Sequence, residues 1–592
     1  MSLLRPVRFY NLLICLNFFI FFLNGCTPSP PLDARATPES TSKRIEKPTV
    51  HANNAMISVA NPYAAEAGLR ILKAGGSAID AAIAAQMVLN LVEPQSSGIG
   101  GGGFLMLYDP KTQKVLSYDG RETAPENATL SLFLKNDGSK MGFFEAAVGG
   151  RSVGVPGLLQ MLSMAHHKHG NLKWATLFED AIHLSENGFP VSERLHSLIS
   201  KDRFLKTDPT AKAYFTTPDG FALPIGQLLK NPAFANSLKQ IQLGGAASLY
   251  IGQLADEIVK KVQTHPTNPG LLSLNDMQNY QAKQRDPVCL DYKKYSICGM
   301  PPPSSGGISV LEILGLMEQF EITNSHLPPA FTPHILAEAS KLAFADRNQY
   351  IADPDFVKVP TQELLSETYL KRRAVLIQSK DVLKTPVHPG APFLYSQAYA
   401  PDLSNHGIST THMSIVDSKG MVVSMTTSIE NAFGSRQMVG GFLLNNQLTD
   451  FSFNPTGNGF MIANRVEANK RPRSSMAPTL VLNKQTGKPV LAIGSPGGSR
   501  IIGYVAQSLI SILDDKLPLD QALSLAHITN RNGQTELEKS TIANPFETKL
   551  KALGHDLKYK PMTSGLHAVQ IKEDGTLIGA ADPRREGIAL GY

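Results

Sequence analysis

From residue 409 onward the chain Ser-Thr-Thr-His-Met-Ser-Ile-Val alternates toward an apolar face, which predicts a strand. Asp417-Ser418-Lys419-Gly420-Met421 then reads as a hairpin with a three-residue loop, and Gly420 supplies the positive φ its last position requires. Pairing Asp417 with Met421 and counting back without a further bulge sets Thr410 opposite Ser428. Such partners hold their Cβ atoms about 4.5–5.5 Å apart, within hydrogen-bonding reach of two hydroxyls. Glu430 falls on the same face, just beyond Thr410.

Period-3.6 patterning dominates earlier. Asn61-Pro62 offers a cap with proline at the first helical position, and Ala64, Ala65, Leu69 and Leu72 make a stripe that runs to Gly75-Gly76. Ser77 caps a second, alanine-rich helix to about Leu91, dense enough in apolar residues to be buried. The glycine run from Gly98 to Gly103 leads into the apolar stretch Phe104–Tyr108. It lacks the lysine and hydroxyl of a phosphate loop and precedes a strand, so it predicts close backbone packing. Residues 155–400 alternate helical stretches with Pro and Gly breaks, among them the rigid turn Pro301–Gly307 ahead of another helix.

Chemistry enters at Thr410. A threonine at a chain end carries its hydroxyl and its own α-amine, whose ordinary pKa of about 7.7–8 suits a general base near neutral pH. Cleavage between Ser409 and Thr410 therefore makes a nucleophile and its base from one residue, with no metal or cofactor. The plain alternative is an ordinary sheet strand, where Thr and Ser are common, in a catalytically inactive lipoprotein used for binding.

Composition changes the picture mainly at the N-terminus. Arg5 and Arg8 precede the apolar run Leu12–Leu23, shorter than the roughly 20 residues of a membrane span and suited to a secretory signal. Leu23-Asn24-Gly25-Cys26 resembles a bacterial lipobox, which makes residues 1–26 a signal peptide and Cys26 the lipidated first residue. Thr27 after it suits an outer-membrane destination and a periplasmic, lipid-anchored protein; simple cleavage or an uncleaved anchor are the alternatives. Residues 27–50, rich in Pro, Ser and Thr, predict a flexible tether. Export leaves Cys289 and Cys298 in an oxidising space on either side of a predicted turn, as a local disulfide or as two buried thiols. The formal charge of +6 over 592 residues shows no long basic run, so nucleic acid is not indicated.

Other candidates are weaker alone. Arg121, at a strand end, can clamp a carboxylate or form a surface ion pair. Gly494-Ser495-Pro496-Gly497-Gly498-Ser499-Arg500 precedes a helix and offers either an anion cradle or a tight turn. His166-His167-Lys168-His169 lacks the spacing and acidic company of a metal site and reads as solvated surface.

Together, Thr410-Thr411-His412, Pro301–Gly307, Asn445-Asn446-Gln447 with Asp450, Lys470-Arg471-Pro472 with Ser474-Ser475-Met476, and Gly494–Arg500 resemble the gamma-glutamyltranspeptidases, in order, from about Met56 to Tyr592. The resemblance implies an α+β fold, a four-layer αββα sandwich of the N-terminal nucleophile hydrolase type. It implies self-cleavage into a large subunit ending at Ser409 (51–409 beyond the tether) and a small subunit, 410–592. It implies Thr410 as nucleophile, Ser428 as an orienting hydroxyl, and Gly497 and Gly498 as oxyanion donors. Arg121, Ser474 and Ser475 match groups that hold a substrate α-carboxylate, and Gln447 and Asp450 match those that hold its α-ammonium. Glu430 stands where many members have an asparagine, and Arg473 where a leucine is frequent. The implied partners are glutathione or other gamma-glutamyl compounds and amino acid or peptide acceptors; related members act as acylases on glutaryl-type side chains.

Overall fold

The structure, a computed structural model, describes residues 44–320, 331–392, 398–404, 409–539 and 546–592. The signal peptide, Cys26 and most of the tether lie outside the described residues.

Two seven-stranded sheets form the centre. One runs, edge to edge, Ile588–Gly591, Met56–Val59, Ser409–Val416, Val422–Glu430, Gly102–Asp109, Lys114–Gly120 and Lys283–Arg285. The other runs Val50–Ala52, Leu577–Ala581, His567–Ile571, Pro489–Gly494, Thr479–Asn483, Tyr295–Gly299 and Val288–Tyr292. Strand alternation sorts the side chains into layers. Ile57, Leu105, Leu107, Met413, Ile415 and Val423 share one apolar core with the helices Pro62–Lys73 and Ala78–Val92. Their sequence neighbours Met56, Phe104, Met106 and Val422 join a second core with the other sheet and with Gly306–Glu318, Phe331–Tyr350 and Ile501–Leu513. Helices thus cover the outer face of each sheet, which is the expected αββα sandwich.

Between the sheets the contact is partly polar. Ser414 Oγ donates to the His567 carbonyl at 3.0 Å, Ser424 Oγ to Ile493 at 3.1 Å and Ser58 Oγ to Ala580 at 2.6 Å. Hydroxyls on one sheet answer the backbone of the other and fix their relative position.

The helix starts follow the predicted capping. Asn61 accepts from the Tyr63 amide at 3.0 Å, while Ser77 and Asp80 form a reciprocal capping box. Tight packing explains the glycine run: a Cβ on Gly100 would meet the Leu443 carbonyl oxygen at 2.2 Å, and one on Gly101 the Ser428 oxygen at 2.3 Å.

The tether ends earlier than its composition suggests. Arg44 donates to Ser524, the Ile45 amide to Pro583, and Lys47 Nζ reaches the carbonyls of Asp582 and Gly587, before Val50 pairs with Gly579. Burial lowers the Lys47 ammonium to about 8, and the carbonyl cage keeps this segment on the body. Cys289 and Cys298 face each other across adjacent strands and are bonded, with Cα atoms 4.1 Å apart. Only Cys298 is buried, which excludes the paired-thiol alternative.

Candidate active site

Thr410 sits at the mouth between the two sheets, at the start of a central strand. The hairpin keeps the counted register from Val416↔Val422 to Thr411↔Thr427, and then Ser409 pairs with Glu430. Ser428 and Ile429 therefore oppose the single Thr410, a bulge that the count from the turn omitted. Glu430 leaves it with φ of +81°, rare for a residue with a side chain.

The bulge gathers hydroxyls on one carbonyl. Thr410 Oγ1 donates to the Ser409 carbonyl at 2.6 Å and Ser428 Oγ donates to the same oxygen at 2.7 Å. The two hydroxyl oxygens lie 3.4 Å apart. The Glu430 amide donates to Ser428 Oγ at 2.8 Å, occupying a lone pair and leaving the Ser428 proton for the carbonyl. Arg585, buried, donates to the Thr410 carbonyl at 3.1 Å. This arrangement holds the Thr410 hydroxyl beside a carbonyl that two hydrogen bonds polarise.

His412 does not compete as a base. Thr426 and Ser414 hydroxyls lie 2.8 and 3.1 Å from its ring nitrogens, and burial, then the nearby His567, hold its pKa well below the usual imidazole value.

A narrow cleft opens at Thr410 and is lined by Ser428, Glu430, Gln447, Asp450, Ser474 and Ser475, with Arg121, Arg347, Arg473 and Gly498 also on its walls. The structure thus brings the sequence-derived candidates together. Arg121 Nη2 meets Asp450 Oδ2 at 2.5 Å and the Arg473 carbonyl at 3.0 Å, while Nε donates to Pro472 at 3.1 Å. Its ion pair is therefore buried and specific, not the surface pair weighed above. Gln447 Nε2 donates to Asp450 Oδ2 at 2.9 Å, and Asn446 Nδ2 donates to Glu430. Ser475 Oγ accepts from Arg347 Nη2 at 2.8 Å, and Ser474 Oγ from the Met476 amide at 3.1 Å.

Burial disfavours the charged form of two groups here. Burial raises the neighbouring Glu122 carboxyl to about 8 against the pull of Arg121. Burial also lowers the Arg347 guanidinium well below the usual arginine range, and nearby Arg473 adds to it. Arg473 itself is satisfied by Asp402 at 2.8 Å.

Gly497 and Gly498 form the turn into helix Ile501–Leu513 with φ of +134° and +62°. At Gly497 a Cβ would come within 2.6 Å of the Tyr504 ring. A side chain is excluded there on both counts.

Sequence reasoning missed Arg347, Arg585 and Asp402, which reach the site from distant segments with no local motif. In the histidine cluster His167 and Lys168 are exposed as expected, whereas the two outer histidines need correction. His166 Nε2 lies 3.4 Å from Asp80, and His169 Nε2 2.7 Å from the Tyr118 hydroxyl, both half-buried rather than solvated. Elsewhere among the described residues His334, Glu338 and His555 converge with metal-ligand chemistry. Lys341 Nζ meets Glu338 at 2.7 Å and already supplies a cation to that carboxylate.

Comparison with known proteins agrees with this geometry. A family model described as Gamma-glutamyltranspeptidase matches residues 64–592. The chain is 37% identical over 574 residues to a glutathione hydrolase proenzyme of Bacillus subtilis (strain 168), covering 95% of this chain and 96% of that one. It is 34% identical over 587 residues to a glutathione hydrolase proenzyme of Escherichia coli (strain K12), covering 97% of each. Among solved structures, a cephalosporin acylase from Bacillus halodurans superposes with a TM-score of 0.80 at 27% identity, covering 94% of this chain and 99% of that one. With the αββα sandwich, a threonine at the strand mouth and matches running over nearly the whole length, the chain belongs to the gamma-glutamyltranspeptidase family of N-terminal nucleophile hydrolases.

Proposed function

We propose that the protein is exported, cleaves itself between Ser409 and Thr410, and then hydrolyses or transfers the gamma-glutamyl group of glutathione or a related donor. The observation that carries this is the convergence of the Thr410 and Ser428 hydroxyls on the Ser409 carbonyl, 2.6 and 2.7 Å away, beside a cleft of paired charges.

Maturation begins when Thr410 Oγ1 attacks the Ser409 carbonyl carbon. The C–N bond breaks as an ester forms, and the amide nitrogen becomes the Thr410 α-amine after protonation. Water then hydrolyses the ester, leaving Ser409 as a carboxylate and Thr410 as a chain end with its hydroxyl restored. The products are a large subunit that begins at the lipidated Cys26 and ends at Ser409, and a small subunit, 410–592, in the periplasm.

In turnover the Thr410 amine takes the hydroxyl proton while the oxygen attacks the donor's gamma-amide carbonyl. The tetrahedral oxyanion takes hydrogen bonds from the Gly497 and Gly498 amides, donors typically worth about 2.7–4 kcal/mol each in other hydrolases. The proton passes to the departing amine, and water or an amino acid or peptide amine then attacks the ester. Arg121, Ser474 and Ser475 hold the α-carboxylate, while Gln447, Asp450 and Glu430 hold the α-ammonium. Because Arg121 and Asp450 already face each other, a zwitterionic donor extends them into a ring of alternating charges.

Purified, cleaved protein incubated with a gamma-glutamyl anilide tests this, with released aniline expected. A second reading, a glutaryl-type acylase, is favoured by the cephalosporin acylase likeness. Turnover of glutaryl anilide with none of the gamma-glutamyl compound would select it.

A further inference from the structure

Arg347 is a buried cation without a carboxylate of its own. It is 5% exposed, lies in the last turn of helix Phe331–Tyr350, and reaches the wall of the Thr410 cleft. Its Nε donates to Ser305 Oγ at 2.9 Å, Nη1 to Asn348 Oδ1 at 2.9 Å and Nη2 to Ser475 Oγ at 2.8 Å. All three acceptors are neutral. Among the described residues no carboxylate oxygen comes within 4.0 Å of the guanidinium. The other cleft arginines differ: Arg121 is paired with Asp450 and Arg473 with Asp402.

Enclosing a charge with only neutral partners is costly unless something else completes it. Three of the five guanidinium N–H groups are used in these bonds, which leaves one on each terminal nitrogen. Ser475 links this charge to the ligand space. Its oxygen accepts from Arg347, so its own proton is free to be donated elsewhere, and Ser475 lines the cleft. Arg121, by contrast, has Nη2 bound to an acid and a carbonyl and Nη1 3.8 Å from the Glu122 carboxyl.

We propose that Arg347, a positive charge with no carboxylate bound directly to it, selects donors bearing an α-carboxylate, acting on that group through Ser475 and alongside Arg121. It is a positioning and specificity residue that does not take part in bond breaking. The proposal deepens the gamma-glutamyl reading above and rests on it.

The test uses the processed protein with two donors, L-gamma-glutamyl anilide and the same anilide with its α-carboxylate replaced by a carboxamide. Wild type should prefer the carboxylate donor. In Arg347→Gln that preference, read as the ratio of kcat/KM values, should fall about 10- to 100-fold, as expected for a lost charge-assisted contact. The loss should lie in KM for the carboxylate donor, with kcat and the carboxamide donor within about threefold of wild type.

Arg347→Lys, which keeps the charge, should retain the preference to within about fivefold. If Arg347→Gln fails to mature, the lysine variant decides alone: preserved discrimination supports the proposal, and discrimination lost to unity overturns it. An Arg347→Gln enzyme that discriminates like wild type also overturns it. Wild type that turns over neither anilide would instead remove the gamma-glutamyl reading.

Discussion

Replacing Ser428 with alanine isolates the bond on which maturation depends. In the uncleaved chain the Ser428 hydroxyl is one of two donors on the Ser409 carbonyl, at 2.7 Å, and the other is the attacking Thr410 hydroxyl itself, at 2.6 Å. When Thr410 attacks, its proton must leave, so Ser428 is the donor that remains on the developing oxyanion. Loss of one such donor slows acyl transfer by about 100- to 1,000-fold in other hydrolases. The same change strips the buried Glu430 amide of its acceptor, a stability cost of about 1–3 kcal/mol. Freshly purified Ser428→Ala should therefore stay largely as one polypeptide while wild type resolves into two bands on a denaturing gel. The half-time of appearance of the small fragment should lengthen at least about 100-fold. A melting curve measured in parallel separates slow cleavage from misfolding. Cleavage of a folded Ser428→Ala protein at the wild-type rate would refute the assignment of this hydroxyl.

Three further outcomes follow from the geometry. Glu430→Asn should relieve the backbone at φ +81°, which asparagine tolerates better, while raising KM for donors with a free α-ammonium; a higher melting temperature with unchanged KM would remove Glu430 from substrate binding. Buried His527 and His567 are held to about 3, so between the ordinary value near 6.5 and that level the unfolded chain binds protons that the folded chain refuses. Stability should fall on acidification below pH 6.5, by at most about 1.4 kcal/mol per pH unit for each, and denaturant titrations at pH 7 and 5 that agree would contradict this. Gly497→Ala meets both the Tyr504 ring and the φ of +134°, and should lower kcat for the gamma-glutamyl anilide at least about tenfold after normal maturation; an unchanged kcat would argue against that amide as an oxyanion donor.

What the sequence disclosed and what it withheld divide along physical lines. The hairpin at Gly420, the capped helices after Asn61 and Ser77, and the local disulfide partners depend on neighbours in the chain, so propensity and periodicity reveal them. The bulge at Ser428-Ile429 does not, because Ser409 is drawn toward the Gln95 carbonyl by a bond spanning more than three hundred residues. Arg347 stays invisible for a similar reason: in sequence it is one more basic residue near a helix end, and only packing carries it to Ser475. Arg121 was legible as a strand-end cation, yet its bond to Asp450 required two remote loops to meet. The tether misled by composition, since Lys47 finds a carbonyl cage that no local pattern announces.

The threonine-bearing strand is hydrogen-bonded on both flanks, to Met56–Val59 from the large portion and to its hairpin partner within the small one. Severing the bond between Ser409 and Thr410, as proposed above, would leave those ladders intact, so the two products would stay interleaved instead of drifting apart. Activation would then behave as an internal clock, started once by each molecule and indifferent to how crowded its surroundings are. A catalyst finished in this way would have no encounter to wait for and no route back to the dormant form.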